Sequence, residues 1–186
     1  MSGHSHAKTV KRIKEASDKK RGQIFSKMAR AISVAVREGG ANPETNPKLK
    51  AVIETAKSVN MPKDNIERAI LRGSGKLEAE KLEEVMFEAY GPGGVALIIE
   101  GITDNKNRAL GEVRQTLSQY GGKLVGSGGV KWMFERKINE SGSLEWIPKQ
   151  EIEVDEKTKI SCEKLFEALD ELDSVQEVYS NIKSNA

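Results

Sequence analysis

Cysteine and histidine are almost missing from this chain: Cys162 stands alone among 186 residues, and His4 and His6 are the only imidazoles. One thiol cannot form an internal disulfide or a thiolate metal cluster. Two neighbouring histidines leave serine triads and multi-histidine zinc sites without their parts, so catalysis loses its commonest base. Aromatic residues make up only 5%. The longest apolar run, residues 95–99, is far too short to cross a bilayer. No charged-then-apolar leader opens the chain. These absences predict a soluble protein of the reducing cytoplasm, not an enzyme, with no cofactor or metal and no membrane partner.

What is present is charge, and it is sorted by position. Residues 1–76 carry 17 Lys or Arg against 7 Asp or Glu, a net of +10, whereas residues 77–186 carry 13 against 21, a net of −8. Lys and Arg release condensed counterions when they neutralise phosphates, so a basic arm on an acidic body predicts a polyanionic partner, nucleic acid first. A merely solvated face usually alternates sign, yet ten basic groups precede residue 38 and only Glu15 and Asp18 oppose them. Lys8, Lys11, Arg12 and Lys14 lie in the arm, with Arg21 after them. Lys19, Lys20, Lys27, Arg30 and Arg37 fall on one stripe of a helix drawn at about 100° per residue. Zinc-finger ligands and helix-turn-helix spacing are absent, and few Asn or Gln stand beside the Arg groups to read base edges. The expected contact is to phosphates, which locates a polyanion without specifying its sequence.

The organisation predicted is α+β. Residues 1–17 are polar and basic, too poor in apolar surface to offset the entropy of ordering, and read as a mobile arm. A helical domain spans 18–73. Its first helix starts near Asp18, buries Ile24, Met28, Ile32 and Val36, and ends at Gly39-Gly40. Asn46-Pro47 starts the second, which buries Leu49, Val52, Ile53 and Ala56. The third covers residues 62–72, with Asp64 and Arg68 spaced to pair. Residues 74–81 read as a linker, because charge sign and hydrophobic period both change there. In the α/β domain, 82–181, Val85, Phe87 and Ala89 alternate, Gly91-Pro92-Gly93-Gly94 turns the chain, and 95–99 reads as a central strand. Asp104 is placed to cap a helix bearing Leu110, Val113 and Leu117. Val130, Trp132 and Phe134 alternate again, residues 144–154 look extended, and a last helix with Leu165, Leu169 and Leu172 precedes a strand at 175–179. The order β-β-α-β-β-α-β predicts two helices on one face of a mostly antiparallel sheet, a ferredoxin-like α/β domain.

Other candidates have plainer readings. Gly73-Ser74-Gly75-Lys76 tempts a phosphate-loop assignment, but position 70 is Ile where that motif needs glycine, and the segment follows a helix. Gly126-Ser127-Gly128-Gly129 has the backbone N–H groups to nest an anion, although a mobile helix-to-strand loop explains it more simply. Glu100 and Asp104 are the least poor candidates for a Mg²⁺-dependent nuclease centre, and a strand-end charge and a helix cap account for them without chemistry. Cys162 lies beside Glu163, with no source for a lowered pKa. Trp132 and Phe134 are aromatic enough to stack bases, but their surroundings do not match the RNA-recognition pattern, and both are expected in the core. With Met1 removed, Ser2-Gly3-His4 offers an amine, two amides and an imidazole in the square-planar set that suits Cu(II).

Several segments resemble a known family: Gly3-His4-Ser5, Lys20-Arg21-Gly22, Ile24-Phe25, the eleven residues 60–70 (Asn-Met-Pro-Lys-Asp-Asn-Ile-Glu-Arg-Ala-Ile), Tyr90-Gly91-Pro92-Gly93-Gly94 and Thr103-Asp104-Asn105. They are similar to the YebC/PmpR family, which includes the mitochondrial translational activator of cytochrome c oxidase. The family usually has Lys-Trp after Gly-His-Ser, where this chain has His6-Ala7. The chain is also short by one small α/β domain, which members carry between the equivalents of Lys137 and Leu144, leaving residues 138–143 as the scar. The resemblance implies a non-enzymatic regulator of gene expression. The usual assignment is a DNA-binding transcriptional regulator, and the alternative is a ribosome-associated translation factor that binds ribosomal RNA through the basic arm and first helix. The acidic α/β domain is then free to contact protein.

Overall fold

A computed structural model describes residues 18–78, 81–139 and 143–183, with Lys19 as backbone only. The expected arm, residues 1–17, lies outside the described residues. Contacts divide the chain into two compact units, one of helices, to which residues 138–144 are also assigned, and one built around a sheet.

The helical unit holds α1 (Asp18–Gly39), α2 (Pro47–Ser58) and α3 (Lys63–Gly73). Its core joins Ile32, Ala35 and Val36 of α1 to Leu49 and Ala56 of α2 and to Ile66 and Ala69 of α3. Small polar groups fix the corners. Asn46 caps α2 by accepting from the Leu49 N–H at 3.0 Å, and its buried Nδ2 donates to the carbonyls of Ala35 and Gly40, both at 2.8 Å. One side chain thus closes the end of α1 and the start of α2. Gly39 makes this possible, because a Cβ there would lie 2.7 Å from the Asn46 side chain. Ser33 ties α1 to α3 by donating to the Ala69 carbonyl at 2.9 Å. The ion pair on α3 is Lys63 with Glu67, 3.5 Å, and not Asp64 with Arg68.

In the second unit β1 (Glu83–Tyr90) and β2 (Ala96–Thr103) are joined by the expected Gly91–Gly94 turn. Then come α4 (Lys106–Gln119), β3 (Lys123–Val125), β4 (Phe134–Ile138), β5 (Leu144–Pro148), α5 (Glu156–Asp170) and β6 (Val175–Ser180). The main sheet has the order β3-β1-β2-β6, with β1·β3 and β2·β6 antiparallel. Leu97 and Ile99 of β2 pack with Val113 and Leu117 of α4 and Leu165 and Leu169 of α5, so both helices cover one face. Ala96 and Ile98 point the other way and pack with Val130, Phe134 and Trp146. The α+β class and the helix-on-sheet layering are as the sequence predicts.

Three details differ from expectation. Strand β3 has three residues, too few for alternation to show. The strands β4 and β5 form a separate two-stranded sheet instead of extending the first, and β5 stops at Pro148. The cap of α4 is Asn105, whose side chain accepts from the Arg108 N–H, while Asp104 pairs with the Arg108 guanidinium.

A bulge between Glu100 and Gly101 brings β2 against the start of β6. A Cβ on Gly101 would sit 2.3 Å from the Ser174 carbonyl oxygen, a backbone atom that cannot swing aside. Gly101→Ala is expected to lower stability by about 2–3 kcal/mol, read as a shift of the urea midpoint at constant m. An unchanged midpoint would show that the bulge relaxes freely.

Candidate nucleic-acid interface

Helix α1 carries the basic stripe. Lys20 and Arg21 are exposed in its first turns and Arg37 is exposed in its last, Arg30 is half-buried midway, and Lys27 is only 8% exposed. Lys27 has little surface to offer a polyanion. An isolated-helix projection places it in the stripe, but tertiary packing covers it. The backbone of Lys19 belongs to the same first turn, and Lys8, Lys11, Arg12 and Lys14 lie outside the described residues.

Cations at a helix N-terminus face the positive end of the macrodipole and weaken the helix by a few tenths of a kcal/mol each. Lys20 and Arg21 therefore do not serve α1. Asp18, 3.5 Å from the Arg21 guanidinium, offsets them little, since that guanidinium side chain is 54% exposed and its partner 99%.

Further along, a cleft of about 810 Å³ is lined by Arg30 and Arg37 of α1 and by Arg72 and Lys81 beyond it, with Glu78 the one carboxylate among the described residues. Gly73 lies in its wall, and a Cβ there would be 2.5 Å from the Ser33 carbonyl, so α1 and α3 meet at backbone distance. The Gly73-Ser74-Gly75-Lys76 segment is a helix cap. Gly75 (φ +73°) donates to Arg72 O at 3.1 Å and Lys76 to Leu71 O at 3.0 Å, the paired bonds that satisfy the last carbonyls of α3. Sequence reading passed over Arg72, whose one usable signal was the positive charge of residues 1–76, and Lys81, which stands among Glu78, Glu80, Glu83 and Glu84 and had none.

The glycine-rich loop 126–129 does nest an anion, one the chain itself supplies. Glu88, 3% exposed, accepts from the N–H groups of Gly128 at 2.6 Å, Val130 at 2.8 Å and Lys131 at 2.7 Å. Burial alone would raise this carboxyl, but the three N–H donors and the Lys131 charge outweigh it and hold its pKa below the usual range. The expectation of a mobile loop is corrected by these bonds.

Phe134 is buried at 3% as expected, but Trp132 is 64% exposed and the tryptophan of the core is Trp146, at 7%. A short 3₁₀ turn, Lys131–Met133, breaks the alternation before β4 begins. Glu100 is engaged by the Trp146 Nε1–H at 2.8 Å and the Arg136 guanidinium at 2.5 Å. With Asp104 held by Arg108, neither carboxylate of the nuclease reading stands free, and among the described residues no three His, Cys, Asp or Glu side chains converge. The buried Cys162 thiol is pushed up to about 11 by burial, with Glu163 adding to it, so it is not a thiolate at neutral pH. Ser2-Gly3-His4 falls outside the described residues. Among the described residues, no helix is long and apolar enough to cross a membrane.

Comparison with known proteins identifies the family. Residues 5–76 match the model of the TACO1/YebC protein N-terminal domain, and residues 82–139 and 137–182 match that of the TACO1/YebC second and third domain. The chain belongs to the TACO1/YebC family. A probable transcriptional regulatory protein of Petrotoga mobilis is 52% identical over 172 residues, which are 92% of this chain and 66% of that protein. The chain thus spans about two thirds of that TACO1/YebC relative. A probable transcriptional regulatory protein of Thermotoga maritima is 38% identical over 238 aligned positions, covering 98% of this chain and 94% of the relative. Since this chain has 186 residues, at least 52 of those positions have no counterpart in it. The two pieces of the second-and-third-domain match meet at residues 137–139, at the end of β4. The crystal structure of a conserved hypothetical protein, Aq1575 from Aquifex aeolicus, superposes with a TM-score of 0.80 at 36% identity, covering 89% of this chain and 91% of that one.

Proposed function

We propose that this TACO1/YebC protein is a non-enzymatic regulator of gene expression that grips the phosphate backbone of nucleic acid with the outer cations of α1. The observation that carries this reading is the placing of Lys20 and Arg21 against the helix dipole, on a helix whose other exposed or half-exposed basic groups, Arg30 and Arg37, line a cleft shared with Arg72 and Lys81. The arm residues Lys8, Lys11, Arg12 and Lys14, and Lys19, extend the same charge in sequence. Duplex DNA is the first target, in keeping with the names of the Petrotoga and Thermotoga relatives. The scarcity of base-reading side chains favours ribosomal RNA equally, and a ribosome-bound translation factor is the second reading. The acidic sheet unit, beyond the linker at 74–81, is then the part that contacts protein, and the absence of a third domain near 138–143 narrows what it can contact.

The test is the salt dependence of binding, measured by fluorescence anisotropy with duplex DNA and with a structured ribosomal RNA fragment. Replacing Lys20, Arg21 and Arg37 together by Ala is expected to weaken binding to every sequence and to reduce the slope of log K against log salt by about 2–3. The preferred target is the one whose affinity persists at physiological salt. Unchanged affinity and slope in the triple variant would remove α1 from the interface.

A further inference from the structure

We propose that Trp132 is a stacking platform for an unpaired base, giving the sheet unit a nucleic-acid contact of its own. The inference rests on the reading that the chain binds nucleic acid and adds a second surface, of different chemistry, to the phosphate grip of α1.

The chain has two tryptophans, and they are used in opposite ways. Trp146 is 7% exposed, spends its Nε1–H on Glu100, and has Arg136 4.7 Å and Lys131 5.5 Å from its ring centre. Trp132 is 64% exposed, yet it is firmly placed. Its indole N–H donates to Gly129 O at 3.2 Å, its own carbonyl accepts from the Lys149 ammonium at 2.8 Å, and the Lys149 N–H donates to Met133 O at 2.9 Å. The turn before it is fastened to the buried Glu88 carboxylate, and Val130 and Phe134 on either side are buried. An aromatic ring presented to water on so fixed a backbone is pre-organised to bind, because little freedom remains to be lost.

The surroundings select the partner. Residues 126–129 are Gly-Ser-Gly-Gly, without bulk to cover the ring, and the cation beside it is the Lys149 ammonium, while that of Lys131 lies over Trp146. A protein contact would gather apolar neighbours around the tryptophan, whereas an exposed ring with the Lys149 ammonium 2.8 Å from its own carbonyl matches a nucleotide, base on ring and phosphate beside it. Bases inside a duplex have their faces occupied by neighbours, so the ligand is a single strand, a bulge or a loop.

The experiment uses the full chain and two probes, a ten-nucleotide uridine homopolymer and a DNA duplex of similar phosphate number. The uridine strand is expected to quench the emission component that Trp132→Phe alters, and Trp132→Ala to weaken uridine binding about tenfold while leaving duplex affinity unchanged. Trp132→Phe should keep most of the affinity, and unchanged circular dichroism of both variants keeps folding out of the comparison. Equal uridine affinity in wild type and Trp132→Ala, with no quenching and duplex still bound, overturns this proposal and leaves the α1 reading intact. Failure of wild type to bind either probe overturns both. A concentration-dependent change in Trp132 emission without any oligonucleotide would assign the ring to contact between copies and overturn it as well.

Discussion

Glu88→Gln is expected to destabilise the sheet unit by about 3 kcal/mol at pH 7, because one carboxylate that satisfies three backbone N–H groups is replaced by an amide that turns an N–H₂ toward donors. Few substitutions of one heavy atom cost so much. The size of the loss follows from the burial of the carboxylate itself, 3% exposed, and of the Val130 that donates to it. Because the folded carboxyl sits below its usual pKa, its stabilisation is fully present above the ordinary carboxylate range. It fades as pH falls through that range and on through the lowered folded value, since the protonated acid resembles the amide. Urea midpoints of wild type and variant should therefore lie far apart at neutral pH and converge in acid. A gap that does not change with pH would mean that the charge on Glu88 is not what holds the loop.

Asn46→Ala is expected to cost a similar amount, about 3 kcal/mol, in the helical unit. The change removes the N-cap of α2, worth about 1 kcal/mol, and strands the carbonyls of Ala35 and Gly40 that its amide had satisfied. Asn46→Ser separates the two losses, since a hydroxyl can cap α2 but is too short to serve both carbonyls. Helical circular dichroism against urea should rank wild type above Ser and Ser above Ala. If Ala falls within about 0.5 kcal/mol of wild type, the corner is held by packing alone.

How much of this was legible in advance depends on what each residue responds to. The ends of α1, α2 and α3 were readable because Gly39-Gly40, Asn46-Pro47 and Gly73 act locally, through backbone freedom and capping. Asp104 and Asn105 are both competent acceptors, so the cap of α4 was placed one residue early. The alternation of Val85, Phe87 and Ala89 gave no sign that Glu88 between them is buried. The uninterrupted apolar run of β2, buried on both faces, was the available sign that the second face of the sheet is covered too, which makes an alternate polar residue a buried one. Trp132 failed for a different reason, since two residues on either side of a 3₁₀ turn do not keep a strand's period. Lys27 shows the limit of helix projections, which know nothing of the neighbours. The cleft was hidden because Arg30 and Arg72 are 42 positions apart in sequence and only tertiary packing brings them to one wall.

The pairing of β4 with β5 has a practical meaning for protein engineering. Asn139 and Ser143 face each other across the end of that pair, with the Asn139 N–H donating to Ser143 O and the Ser143 N–H to Asn139 Oδ1, both at 2.9 Å. Two chain ends held side by side form a port. A foreign module whose own termini lie close together is expected to be accepted between Asn139 and Ser143, which marks this pair as an insertion point for reporters, tags or ligand-gated inserts.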